Sequence, residues 1–279
     1  MSGTRDWDAS TYDRVSAPQV EWAAGVVERL DLRGDEIVLD AGCGSGRVTE
    51  LLLAELGKGG SAIAVDGSAA MAGAARERLA GTPTRVLHSD LLELELREEV
   101  DAVFSNAVFH WIHDHARLFT VLHAAIRPGG RIEAQCGGEG NVAGFYAVLR
   151  AIAAQEPYTR LRGYEPNHFA GAAETEWLLR RAGFTDVRCW LVDWPVRPPE
   201  PREFVRSVCL GAHSERLAED LREPFLDEVL DRLGPDPELG YVRLNISARK
   251  GDDAGVEPAS RHGDAIQISS RRRRRPARR

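Results

Sequence analysis

Val38-Leu39-Asp40-Ala41-Gly42-Cys43-Gly44-Ser45-Gly46-Arg47 is the stretch on which the architecture turns. An apolar run ends in an acid, three glycines follow at alternate positions, and a helical pattern begins at about Val48. That order is strand, tight glycine turn, helix, the arrangement by which an open α/β sheet presents backbone N–H groups to a ligand.

The same rhythm continues outward. Upstream, residues 18–31 place Val20, Ala23, Val27 and Leu30 on one helical face, with Pro18 near the start, after an irregular arm over 1–17 that contains Trp7, Tyr12 and Arg14. Downstream, strands are expected at Ser61–Asp66, Thr84–His88, Val100–Ser105 and Arg131–Gln135, separated by helices over Ala69–Leu79 and His113–Ile126. Arg127-Pro128-Gly129-Gly130 reads as a turn, since Pro fixes one φ and Gly permits a positive one. Strands alternating with helices of this length predict a doubly wound, mostly parallel sheet with helices on both faces and right-handed crossovers.

After strand five the rhythm breaks. Residues 137–173 hold a helical stretch, Val142–Gln155, and a loop rich in Tyr, Arg and Gly, expected as a helical cap over the strand ends. Helix Glu174–Ala182 leads to strand six, Val187–Val192; a four-proline connector spans 195–201, two helices follow at about Arg202–Cys209 and Glu215–Leu233, and strand seven is expected at Tyr241–Ala248. One domain over 1–250 is expected, followed by a disordered, Arg-rich tail over 251–279.

Composition narrows the partners. The chain of 279 residues is 43% hydrophobic, enough for a sizeable core, and no apolar run reaches the roughly 20 residues of a membrane span. The tail's eight arginines against four acids carry +4 of a total of −7, so the first 250 residues stand at −11. An acidic body lacks the clustered cations that phosphate contacts need, which leaves only weak nucleic-acid contact by the tail, itself more plainly read as a solvated segment. Cys43, Cys136, Cys189 and Cys209 are far apart, without disulfide or zinc spacing, so a reducing, cytoplasmic setting is the default.

The spacing of the glycines tests the possible ligands. A nicotinamide site wants Gly-x-Gly-x-x-Gly, and counting from Gly42 the third position is Arg47. A nucleoside triphosphate site needs Gly-Lys-Ser/Thr, which is absent. The glycines at 42, 44 and 46, with Asp40 ahead of them, instead resemble the first motif of Rossmann-like (class I) S-adenosylmethionine-dependent methyltransferases, Glu/Asp-x-Gly-x-Gly-x-Gly.

The resemblance extends to three later stations at strand ends. It implies that Asp66 accepts the ribose hydroxyls of S-adenosyl-L-methionine, that Asp90 and Leu91 meet the adenine, and that Asn106 lies beneath the methionine portion. Asp66 and Asp90 have a plainer role available as helix caps, and Asp40 as a structural acid near the turn.

The acceptor is less legible. Ser105-Asn106-Ala107-Val108-Phe109 lacks the Pro-Pro-Tyr that follows strand four in nucleobase amino-methyltransferases, which points to a small molecule. Three histidines crowd His110 to His115, but their spacing matches no zinc set, and no metal site is assigned. The stretch resembles the aromatic segment of small-molecule methyltransferases, implying that His110 and Trp111 lie beside the transferred methyl group; Trp111 as a core plug is the plainer alternative.

Within that family the chain is most similar to the trans-aconitate methyltransferase group over about 5–250. The likeness implies a carboxylate acceptor met by Tyr12, His110 and Trp111, with His110 as candidate base. Arg160, Arg162, Tyr164 and His168 are further anion-binding candidates. Relatives often carry an arginine just before the first helix's proline, where this chain has Ala17. Methylation of another small metabolite, a nicotinamide oxidoreductase and a non-catalytic binding module remain the alternatives.

Overall fold

The computed structural model describes residues 17–252, with side chains from Trp22 onward. The expected N-terminal arm, with Trp7, Tyr12 and Arg14, and the tail from 253 lie outside the described residues.

Seven strands form a single sheet in the order β3-β2-β1-β4-β5-β7-β6. The strands are β1 Ile37–Ala41, β2 Ser61–Asp66, β3 Thr84–His88, β4 Val100–Asn106, β5 Ile126–Gly137, β6 Phe184–Val196 and β7 Leu239–Lys250. The first five pair in parallel, whereas β7 runs antiparallel between β5 and β6. Val38, Leu39, Asp40 and Ala41 are all buried, as expected of a central parallel strand covered on both faces. Helix α1 (Ala17–Leu30) packs beside α2 (Arg47–Glu55), and Ala23, Val26, Leu30, Leu52 and Phe104 share one cluster there. Helix α3 (Ala69–Arg78) covers β2 and β3. On the other face, α4 (His115–Ala125) and α6 (Ala172–Arg181) enclose Leu118, Phe119, Leu122 and Leu179.

Several boundaries differ from the sequence-based expectation. Arg127–Gly130 do not precede β5 but form a bulge inside it. Val100 pairs with Ile126, and the next pair is Ala102 with Arg131. Gly129 supplies φ 76°, and a Cβ on Gly130 would lie 2.6 Å from Asp101 O, so the ladder tolerates the excursion only with glycine. Strand β6 runs to Val196 and so takes in the start of the supposed proline connector; Pro195 pairs with Gly240. Being the sheet's edge, β6 can hold a residue that donates no hydrogen bond. The helix expected over Arg202–Cys209 is one α turn, Pro201–Phe204, followed by a π turn, Val205–Cys209.

A second cluster lies beyond the sheet. Helix α5 (Ala143–Ala153) presents Phe145, Tyr146, Leu149 and Ile152 to Phe225 and Val229 of the helix Glu219–Leu233, and Trp22 and Tyr241 close the cluster towards the sheet. The covering layer over the strand ends therefore draws on chain segments both before and after β6.

Candidate active site

The glycine turn is hydrogen-bonded to the end of β2. Gly42, Gly44 and Gly46 adopt φ 89°, 56° and 83°. The N–H groups of Gly42 and Cys43 both donate to Val65 O, at 2.8 and 2.9 Å. Gly44 N donates to Asp66 Oδ2 at 2.8 Å, and Ser68 N donates to Asp66 Oδ1 at 2.8 Å. The three glycines are not equivalent. A Cβ on Gly42 would fall 2.2 Å from Val108 Cγ2 and one on Gly46 3.0 Å from Leu79 Cδ1, while one on Gly44 would meet nothing within 4 Å. Gly42 is therefore a packing glycine and Gly44 faces open space.

Two acids behave differently around this turn. Asp40 is 1% exposed and accepts from Thr49 Oγ1 at 2.7 Å; burial pushes its carboxyl up to about 7. Its role is to tie β1 to the helix after the turn. Burial also raises Asp66 above the usual carboxylate range, against the pull of its two backbone bonds. Asp66 does not cap helix α3, since Ser68 does so by accepting from Met71 N at 3.2 Å. At Asp90 the cap reading is realised: its Oδ1 accepts from Leu92 N at 2.9 Å and opens a short 3₁₀ turn whose Leu91 is buried.

Asn106 ends β4, and Ala107 follows with φ 61° and its N–H on Gln135 O at 2.7 Å. The next residues, Val108 to Trp111, lie between two spaces: Val108 packs on Gly42, and His110 and Trp111 line a pocket on the far side. That pocket is bounded by Trp22 of α1, Tyr146 of α5, Asn167 and Phe169 of the covering layer, and Tyr241 and Arg243 of β7. No aspartate or glutamate lines it among the described residues.

Arg243 is 1% exposed; its Nε donates to Gln135 Oε1 at 3.3 Å, and its guanidinium carbon lies 4.1 Å from the centre of the Trp22 ring. Gln135 Nε2 in turn donates to Asn245 Oδ1 at 2.8 Å. A buried charge held this way is costly to keep and rigid once made.

His110, the candidate base, is held by a backbone contact. Gly137 N–H donates to its Nδ1 at 3.2 Å, so the neutral ring carries its proton on Nε2. Burial, the Arg243 charge and His115 together push the imidazole down to about 3. The ring that lines the pocket is therefore neutral, with Nδ1 engaged and the proton on Nε2. His115 is 3% exposed, with Nε2 2.9 Å from Phe109 O, where it supports the turn that carries His110.

Among the described residues no group of three or more His, Cys, Asp or Glu is arranged to hold a metal ion. Arg160, Arg162, Tyr164 and His168 do not line the pocket; Arg162 reaches Ala154 O, and His168 N–H donates to His110 O at 2.8 Å. Tyr12 lies outside the described residues.

Trp22, Asn167 and Arg243 escaped the sequence reading as site residues. The one signal was the alternation Tyr241, Arg243, Asn245, three polar-tipped residues on one face of an otherwise apolar strand.

Comparison with known proteins agrees with this geometry. A methyltransferase domain model matches residues 39–134. Trans-aconitate 2-methyltransferase of Acidovorax ebreus (strain TPSY) is 32% identical over 234 residues, covering 82% of this chain and 89% of that protein. The corresponding protein of Shigella flexneri serotype 5b (strain 8401) is 27% identical over 256 residues, covering 88% and 98%. Among solved structures, Haemonchus contortus phosphoethanolamine N-methyltransferase 2 in complex with S-adenosyl-L-methionine superposes with TM-score 0.58 at 18% identity, covering 88% of this chain and 57% of that one. An S-adenosylmethionine-dependent methyltransferase from Mesorhizobium loti gives 0.51 at 20% identity, covering 82% and 97%. The chain belongs to the class I, Rossmann-like S-adenosylmethionine-dependent methyltransferases, on the branch related to trans-aconitate 2-methyltransferase, and methylates a small molecule.

Proposed function

We propose that the protein is a carboxylate O-methyltransferase acting on a small anionic acceptor of the trans-aconitate type. The observation that carries this reading is the composition of the pocket beside the β4 loop: its lining includes the cation Arg243 and the N–H-bearing residues His110, Trp22 and Asn167, and no aspartate or glutamate among the described residues. A buried cation with N–H donors beside it and no carboxylate suits an anion better than an ammonium. Arg243 supplies the cation that Ala17 does not.

For the cofactor, the opening beside Gly44 is a cradle that a Cβ would fill, and Asp66, braced by Gly44 N–H and Ser68 N–H, keeps lone pairs for ribose hydroxyls. Gly42 and Gly46 shape that turn, Asp90 and Leu91 would take the adenine, and Asn106 the methionine portion. When bound, the cofactor supplies a methyl group on a sulfonium. An ionised carboxylate needs no base to accept it, which fits a neutral, proton-bearing His110. The chain's work is then orientation: Val108 keys the acceptor-side loop to Gly42, so that cofactor turn and pocket move as one piece.

The four free cysteines, three of them buried, support a reducing, cytoplasmic setting. Sharing of the second hydrophobic cluster by α1, the covering helices and β7 supports one methyltransferase unit up to residue 250. The test is a methyl-transfer assay over carboxylic acids, trans-aconitate included, and amines. Methyl esters are expected. Turnover of amines alone would overturn the proposal.

A further inference from the structure

Strand β6 ends the sheet, so one of its two sides faces no other strand. In an antiparallel ladder the N–H and C=O of any one residue point to the same side, and successive residues alternate. Cys189 shows which set points outward. Its N–H donates not to β7 but to Glu176 Oε1 of α6, at 3.0 Å. Leu191, Asp193 and Pro195 share that outward side, whereas Trp190, Val192 and Trp194 turn their backbone groups to β7.

The outward row is covered at both ends and open between them. Arg180 Nη2 donates to Val187 O at 3.1 Å, and Glu176 takes the Cys189 N–H, so α6 covers the first part. Pro195 has no N–H to offer. The outward N–H groups left over are those of Leu191 and Asp193, which meet no acceptor among the described residues. An uncovered strand edge is a template for another strand. This one is also apolar: the large hydrophobic side chains most exposed among the described residues are Leu191 (38%) and Val192 (37%) of β6 and Trp177 (54%) of α6.

We propose that this edge is an interface with a second copy of the chain, in which two β6 strands pair antiparallel about a two-fold axis at Val192. Self-complementarity selects a second copy as the occupant. In that register Leu191 N–H donates to the C=O of the partner's Asp193, and Asp193 N–H to the C=O of the partner's Leu191. The two-fold doubles these to four bonds and leaves Glu176 on Cys189. Pro195 stands opposite the partner's Cys189, where neither strand has an N–H to spare. Val192 meets the partner's Val192 as a close, non-hydrogen-bonded pair, and Trp190 meets the partner's Trp194 on the same face. A register centred on Leu191 would instead set Asp193 C=O against a Cys189 N–H that Glu176 already holds. A stable dimer buries about 600–1,000 Å² per partner, more than a three-residue stretch provides. Trp177, Trp190 and Trp194 flank it with further apolar surface.

The test is the oligomeric state of the full chain. Sedimentation velocity from about 1 to about 200 μM should show a monomer–dimer equilibrium. Val192→Lys sets two like charges face to face at the axis and should weaken the dimer at least about tenfold. Its thermal midpoint in dilute solution should stay close to wild type, because the side chain is exposed in a single chain. Val192→Cys, oxidised with diamide, should give a disulfide-linked dimer, since opposed residues of such a pair hold their Cβ atoms about 4.5–5.5 Å apart. Leu191→Cys, which faces the partner's Asp193, should not. Wild type with its own four cysteines is the control.

A single species of monomer mass over the whole range would overturn the proposal, whether the edge is bare or covered by this chain's own arm or tail. So would a dimer that Val192→Lys leaves equally tight, or a cross-link through Leu191→Cys without one through Val192→Cys. Should Val192→Lys fail to fold, the two cysteine variants decide.

Discussion

The N–H of Gly44 donates to Asp66 Oδ2 at 2.8 Å, so the acid at the end of β2 fixes the glycine turn at the end of β1. The same carboxylate holds Ser68 N–H, and burial raises its pKa. Asp66→Ala removes the turn's brace and the proposed ribose acceptor together. Affinity for S-adenosylhomocysteine should fall by about 2–4 kcal/mol in isothermal titration. Asp66→Asn, which keeps one acceptor oxygen, should lose roughly half as much. Unchanged affinity in the alanine variant would mean that Asp66 serves the fold alone.

Gly42 and Gly44 separate packing from binding. Alanine at 42 would bring Cβ to 2.2 Å from Val108 Cγ2 at φ 89°, and should destabilise the protein by about 2–4 kcal/mol in denaturant unfolding. Val108→Ala in the same chain should recover part of that. Alanine at 44 meets no protein atom and has φ 56°, so the fold should lose only about 1 kcal/mol. Its methyl would instead occupy the open space, and S-adenosylhomocysteine binding should drop at least about tenfold. A Gly44→Ala protein with normal cofactor affinity would exclude this opening as the cradle.

Asp40 makes the fold sensitive to pH in a defined window. Its carboxyl titrates at about 7 in the folded chain against an ordinary 3.8, so between those values the unfolded chain has released a proton that the native state retains. Stability from this residue is therefore greatest below about pH 4 and falls as pH rises to about 7, by at most about 4 kcal/mol. Asp40→Asn keeps an acceptor for Thr49 Oγ1 and removes the titration. The difference in unfolding free energy between the two proteins should change in the variant's favour from pH 4 to 7 and stay flat above. A constant difference would place Asp40 in a more polar setting.

How much of this was legible in the sequence follows from where each residue's partners lie. Strands β1 to β4 and the glycine turn were readable because their partners are local or follow a fixed parallel rhythm, and Asp66 and Asn106 stand where that rhythm ends. The reach of β6 was not, because Asp193 and Pro195 disfavour strands and are extended by pairing with β7. The acceptor pocket was the least legible part. It assembles Trp22, His110, Asn167 and Arg243 from four segments that share no period, and only the alternation around Arg243 hinted at a polar face. His110 was found as a pocket residue, but its protonation was not legible, because Gly137 N–H decides which ring nitrogen bears the proton, and that contact crosses to β5.

His110 therefore gives the sharpest test. Gly137 N–H occupies Nδ1, and the ring titrates at about 3 in the folded chain against an ordinary 6.5. Below pH 6.5 the unfolded chain takes up a proton that the native state refuses, so His110 costs stability progressively as pH falls from 6.5 towards 3, and nothing above that window. His110→Gln offers an oxygen to Gly137 N–H and an N–H to the pocket. It should flatten the acid limb of the stability profile and keep kcat within about tenfold of wild type, because only a donor is being replaced. A general base in this position would cost about 10²–10⁴ in kcat on the same substitution, and the wild-type rate would show an acid limb governed by the ring. Steady-state rates of wild type and His110→Gln from pH 5 to 9 decide between the two: parallel profiles fit a donor, and a loss of that size returns His110 to the role of base.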